Sequence, residues 1–192
     1  MADCSKIAAG LAAAACNTVA VPGTASRVIL LNYSDIDRTA VTETANVVSA
    51  IALSGAAVGY AFESLPDATV GSVALAVGTY INQFDHTVDG RVFVKSEAAK
   101  VFINGLKNAR VVAIVENIYF NASDTTPVKY EIYGLNSGLE ATEITGDTTN
   151  PDQTVYMFKL ASTETAKEGS LPKTLYTTSI SATDTLVNGL LT

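Results

Sequence analysis

Apolar positions along the chain fall mostly into short runs and two-residue alternations, a pattern of strands rather than of long helices. After the turn signal Pro22-Gly23, Arg27-Val-Ile-Leu-Leu-Asn32 reads as a buried strand. Two long, weakly polar stretches follow, Val41 to Phe62 and Thr69 to Phe84, separated by Glu63-Ser-Leu-Pro-Asp67. Their Val, Ile, Thr and Tyr content predicts a pair of strands joined by a loop, while the alanines and glycines leave part of the first open to helix. Arg91 to Lys95 alternates, and Val111 to Val115 is a continuous apolar strand. Val128, Tyr130 and Ile132 alternate with Lys129, Glu131 and Tyr133 until Gly134 closes the segment. A further strand around Val155 to Leu160 places Tyr156, Phe158 and Leu160 on one face.

Helical signals are fewer. Ser96 is an N-cap for Glu97 to Lys107, Glu97 complements the helix dipole, and Ala98, Val101, Phe102 and Leu106 mark the packing face, with Asn108 as the stop. The tail from Ser181 to Thr192 predicts a short helix started by Ser181 or Thr183, and the Ala-rich start up to about Asn17 predicts another. There is no tandem repeat and no long linker, so residues 1–192 read as one mainly β (α+β) domain. Its ends read as arms, about residues 1–25 and 181–192, that dock on neighbouring subunits through Ile7, Leu11, Leu186, Leu190 and Leu191.

Composition changes the picture in one respect. Charged residues make up 16% of the chain, against about 25% in typical soluble domains. With a mean hydropathy of +0.27, that scarcity points to a surface partly covered by other subunits. The net charge of −7 and the lack of any basic run exclude a phosphate-gripping groove, but an acidic wall past which DNA slides remains compatible. The two cysteines, Cys4 and Cys16, rule out a disulfide framework, and Asp3 spoils the basic start of an export signal. The uncharged stretches Thr44 to Phe62 and Ala68 to Phe84 are diluted by Asn, Gln, Ser and Gly, so no membrane insertion is expected.

Candidate chemistry is sparse. The single histidine, His86, follows Asp85, and adjacent strand residues point to opposite faces, so the pair is no catalytic dyad; a solvated-loop or interface histidine is expected. Gly134-Leu-Asn-Ser-Gly138 sets its serine one position late for a nucleophile elbow, and phosphate-loop and dinucleotide fingerprints are missing. One histidine and two distant cysteines build no zinc site, and the order of Asp147, Asn150 and Asp152 does not match the calcium-loop pattern. No enzyme, cofactor or metal site is expected. Glu140, Glu143, Asp147 and Asp152 form a base-free acidic stretch, read as a solvated loop or, more sharply, as a lumen-facing or inter-ring edge.

The order of these features, with Val21-Pro-Gly-Thr-Ala-Ser-Arg-Val-Ile-Leu-Leu-Asn-Tyr-Ser-Asp-Ile36, a mid-chain helix and then Tyr130-Glu-Ile-Tyr-Gly-Leu-Asn-Ser-Gly-Leu139, resembles the major tail tube proteins of tailed bacteriophages, in particular those of Bacteroidetes-type hosts. The resemblance spans most of the chain as an ordered pattern and carries over no residue-level motif. It implies a β-sandwich or half-barrel flanked by one helix, with six copies in a ring and rings stacked into a tube that conducts DNA during ejection. Long hairpins of all subunits would close an inner barrel, and Val41 to Phe62 with Thr69 to Phe84 are the strands expected there. It also implies a virion protein made in the bacterial host cytoplasm, with other tail proteins as partners. A tail terminator, connector or capsid decoration protein keeps the same class; a secreted β-sandwich adhesin is the rival from another class, supported by the sequons Asn32-Tyr-Ser and Asn121-Ala-Ser and weakened by the lack of tryptophan.

Overall fold

The computed structural model of the chain describes residues 24–65, 67–146 and 156–192. The Ala-rich start, Ile7, Leu11, both cysteines, Asp147, Asn150 and Asp152 lie outside the described residues. The described part is mostly β, as expected, with eleven strands and two helices in one branched sheet.

The centre of the sheet comes from the two apolar runs that carry no alternation. Strand β1 (Thr24–Asn32) pairs antiparallel with β7 (Arg110–Asn117), and Val28 to Leu31 and Val111 to Val115 are buried on both faces. Val28, Leu30, Val111, Ala113 and Val115 enter one core; Ile29, Leu31, Val112 and Ile114 enter a second on the opposite side. Two-sided burial is why these segments read as continuous hydrophobic runs.

The edge of β7 away from β1 is shared by two strands, β8 (Tyr130–Tyr133) along Ala113 to Glu116 and β9 (Leu139–Gly146) at Arg110 and Val111. The sheet therefore divides at the β8–β9 corner. One branch runs from β8 through β11 (Lys173–Leu175) and β3 (Val47–Ala50) to β2 (Thr42–Thr44). The other runs from β9 through β10 (Tyr156–Ala161) and β6 (Gln83–Val92) to β5 (Thr69–Ala76). β4 (Tyr60–Glu63) closes the free side of β1.

The second branch packs through Val88, Phe158 and Leu160 onto the first core, forming the sandwich. Helix α1 (Glu97–Leu106) covers one end, and Ser96 Oγ accepts from Ala99 N as the expected cap. Phe102 stacks on Phe62 at 5.4 Å and meets Phe158 edge-on at 6.0 Å, which locks the helix to β4 and β10. Its packing face is rotated from the sequence reading: Ala99, Phe102, Ile103 and Leu106 point inward, while Ala98 and Val101 are exposed.

Two expectations are corrected. Val41 to Phe62 and Thr69 to Phe84 do not pair with each other. A tight turn at Ala45 (φ 54°) and another at Gly55 (φ 62°) break the first into β2, β3 and β4, which join different neighbours, whereas β5 pairs with β6 from Thr69↔Gly90 to Ala76↔Gln83. The C-terminal segment is a second helix, α2 (Ile180–Gly189), capped by Ser179 rather than Ser181 or Thr183. Leu190 is buried in the second core of its own chain, with Leu186 and Leu191 packed against it. Lys129 and Tyr130 bind Asp184 at 2.6 and 2.8 Å, and Arg27 reaches Asn188 at 3.0 Å, so the helix is also tied by polar contacts to the central sheet.

Candidate self-assembly interface

Among the described residues the most exposed apolar side chains belong to the β5–β6 hairpin. From Ala68 to Phe84 the sequence has neither a charge nor a proline. Register pairs share a face, so Gly71, Val73 and Leu75 lie on the core side with Val88, His86 and Phe84. Gly71 is held there because a Cβ would come within 2.6 Å of the Tyr133 ring. Beyond it the core ends, and Val73, Leu75, Val77, Tyr80 and Ile81 stand in solvent. Among the described residues no strand pairs with the outer edge of β5 from Val70 to Ala76.

A second open edge lies on the other side of the same branch. β9 pairs with β7 only at Leu139 and Glu140; from Ala141 to Gly146 it pairs only with β10 among the described residues. Among the described residues the ribbon β9-β10-β6-β5 thus has a free edge on each side. Its strands alternate in direction, since every neighbouring pair is antiparallel.

The face of this ribbon turned away from the core is polar. Glu143, Lys159, Asp89 and Val70 form one cross-strand row, with Met157 and Arg91 in the next. Glu140 and Glu143, three apart, would point to opposite faces of a regular strand. A register shift opposite Lys159–Leu160 brings both to the outward face, Glu140 beside Ala161 and Glu143 beside Lys159. One carboxylate oxygen of Asp89 is buried without a partner, and burial pushes the Asp89 carboxyl up, with Lys159 pulling it down and Glu143 pushing it further up. The sequence reading found Glu140 and Glu143 but missed Asp89, whose place beside them depends on a long-range register.

His86, expected in a solvated loop or interface, is instead buried. Its Nε2 lies 2.9 Å from the Ser170 carbonyl, and its Nδ1 accepts from Gly134 N at 3.2 Å. Burial holds the imidazole below its ordinary pKa, against smaller upward pulls from Glu168, the Ser170 carbonyl and Asp85. Glu168, also buried, accepts from the main-chain N–H groups of Asn136 and Ser137 at 3.0 and 2.7 Å. The same corner gives its carbonyls to side chains outside it: Leu135 O to Arg38, Asn136 O to the Tyr33 hydroxyl and Ser137 O to Arg110. Gly134-Leu-Asn-Ser-Gly138 is therefore the clamped corner where the sheet divides, and its serine hydroxyl is spent on the Lys167 carbonyl. With both ring nitrogens bound to the main chain, His86 positions backbone and has no free lone pair for proton transfer.

Among the described residues no three His, Cys, Asp or Glu side chains converge as metal ligands, and no helix is long and apolar enough to cross a membrane. No family model, no curated protein and no solved structure matches the chain.

Proposed function

We propose that the chain is a structural subunit of the phage tail-tube type, whose copies join edge to edge into rings and stack around a channel for DNA. The observation that carries this reading is the outer edge of β5, which is long, uncharged, free of proline and flanked by exposed apolar side chains. Such an edge is an aggregation hazard in a solitary molecule and an adhesive surface in an assembling one.

The geometry suits head-to-tail joining. Four alternating strands per copy mean that β5 of one subunit meets β9 of the next antiparallel, and the alternation continues around the ring. Contact between two different surfaces closes into a ring when the rotation closes. Six copies, as the tail-tube resemblance implies, would supply 24 strands. At about 4.8 Å per strand these span roughly 115 Å of circumference, or a backbone diameter of about 37 Å before tilt, wider than barrels of 16–18 strands that already hold water. The polar outward face of the ribbon, bearing Asp89, Glu140 and Glu143 against Arg91 and Lys159, would line that channel and offer a phosphate backbone no cationic track.

Sedimentation velocity and negative-stain electron microscopy of the purified chain test the reading. Rings and open-ended tubes are expected; a monodisperse monomer up to millimolar concentration overturns it.

A further inference from the structure

The hairpin carries different surfaces at its two ends. Its tip, residues 77–82, exposes Val77, Tyr80 and Ile81 at 80%, 96% and 74%, and the Asn82 side chain accepting from Gly78 N shapes the turn. Its base borders an apolar groove of about 480 Å³ whose walls include Phe62, Leu65, Val92, Val94, Ala98 and Phe102, between β4, the end of β6 and α1. The eight register pairs between them span about 25 Å at roughly 3.3 Å per residue, so the tip cannot reach the groove of its own chain.

We infer that the hairpin tip of one copy seats in the groove at the hairpin base of the next, with Tyr80 and Ile81 as the inserted side chains, and that this contact stacks ring upon ring. The inference rests on the edge-joined ring proposed above, and adds the axial contact that such a ring leaves open.

Size, charge and direction all support a second copy as the occupant. The groove falls within the roughly 300–1,000 Å³ range of sites that enclose a small molecule, which is room for two side chains. The tip stretch has no charge, and Glu63 is the sole ionisable group among the described residues of the groove walls, so docking on these walls buries no cation and at most one rim carboxylate. A knob and a socket at opposite ends of one hairpin form a contact that does not close on itself, which gives a stack growing in one direction.

The area sets the order of events. An aromatic side chain buries about 150–250 Å², so Tyr80 with its two neighbours offers on the order of 400 Å² and the groove a similar amount. That total, about 800 Å², is below the roughly 1,200 Å² of a stable pairwise interface. A single contact is weak, and several acting together around a ring are strong. Rings therefore form first and tubes second.

Two variants and a cross-link test this. Tyr80→Ser with Ile81→Ser removes the knob, and Ala98→Glu places a carboxylate in the socket at an exposed helix position that tolerates it. Both should form rings at wild-type concentration and need at least tenfold more protein to form tubes. In a Cys4→Ser, Cys16→Ser background, a mixture of Ile81→Cys and Val94→Cys chains should yield a disulfide between the two kinds of chain. Unchanged tubes in both variants, or Ile81→Cys chains linked only to each other, overturn the tip-in-groove contact and leave rings standing. A wild-type chain that forms no rings overturns the edge-pairing reading instead, and the cysteine mixture still decides the tip contact.

Discussion

Val73→Lys combined with Leu75→Lys separates assembly from folding. Both side chains project from the core side of β5 beyond the point where the core ends, and they are 41% and 57% exposed in the single subunit. Edge joining would cover that remainder with the β9 flank of the neighbour. Full burial of a Val or Leu side chain is worth about 1.5–3 kcal/mol, so the uncovered halves contribute roughly 1.5–3 kcal/mol together at each joint. At about 1.4 kcal/mol per tenfold, losing that area alone weakens each joint by about 10- to 100-fold, and two ammonium groups facing a packed edge weaken it further. In the isolated subunit the lysines reach solvent along their stems, so stability should move by no more than about 0.5 kcal/mol. Sedimentation velocity across a dilution series, beside thermal unfolding at a concentration where both proteins are monomeric, reads the two effects separately. Assembly at wild-type concentration refutes the reasoning about the edge. A large fall in thermal stability refutes it differently, by placing these side chains within the subunit's own core.

Glu168→Ala leaves the Asn136 and Ser137 N–H groups without an acceptor and should cost about 2–5 kcal/mol in urea unfolding, with Glu168→Gln recovering about half. Gly134→Ala demands a positive φ (72°) of an alanine and sets its Cβ 2.6 Å from Leu139 Cγ, so a loss of at least about 1 kcal/mol is expected by the same assay. Because burial lowers the His86 pKa in the folded state, the unfolded chain takes up the proton more readily; its stability contribution is complete above about pH 6.5 and is lost as the pH falls toward the folded value. Thermal unfolding from pH 7 to about 5 should therefore fall more steeply for the wild type than for the non-titrating His86→Gln variant.

Local signals carried the parts of the fold that depend on neighbours in sequence. The unbroken runs of β1 and β7, the alternation of β10 and the Ser96 cap emerge where sequence places them. β8, by contrast, begins only at Tyr130, leaves Val128 exposed, and buries Tyr133 on the face opposite Tyr130 and Ile132. The strand pairing was not legible, because it depends on which loop turns sharply: a left-handed Ala45 has no sequence signature, and it diverted Val41 to Phe62 away from β5. The corner clamp was equally hidden. His86, Glu168, Arg38, Tyr33 and Arg110 come from well-separated positions and meet only after the sheet has divided. Glu140 and Glu143 stood out as acids, whereas their common face depends on a register shift that their spacing alone argues against.

The two ends of the branched sheet differ in a way that bears on the assembly reading. At one end, β2 is three residues long, turns back at a left-handed Ala45, and carries Glu43 held by Lys173 at 2.5 Å, with Lys173 also bound to Ala45 O at 3.0 Å. Shortness, a sharp turn and a fixed charge are the usual means of keeping another strand away. At the other end, β5 is eight residues long and has none of them. The central strands, buried on both faces, and the clamped corner hold the subunit together without help from the outer hairpin. In the proposed assembly that apolar, open hairpin would supply an adhesive edge and tip to a stack of identical copies. One protected edge and one bare edge among the described residues are what the proposed one-directional joining of identical copies would require.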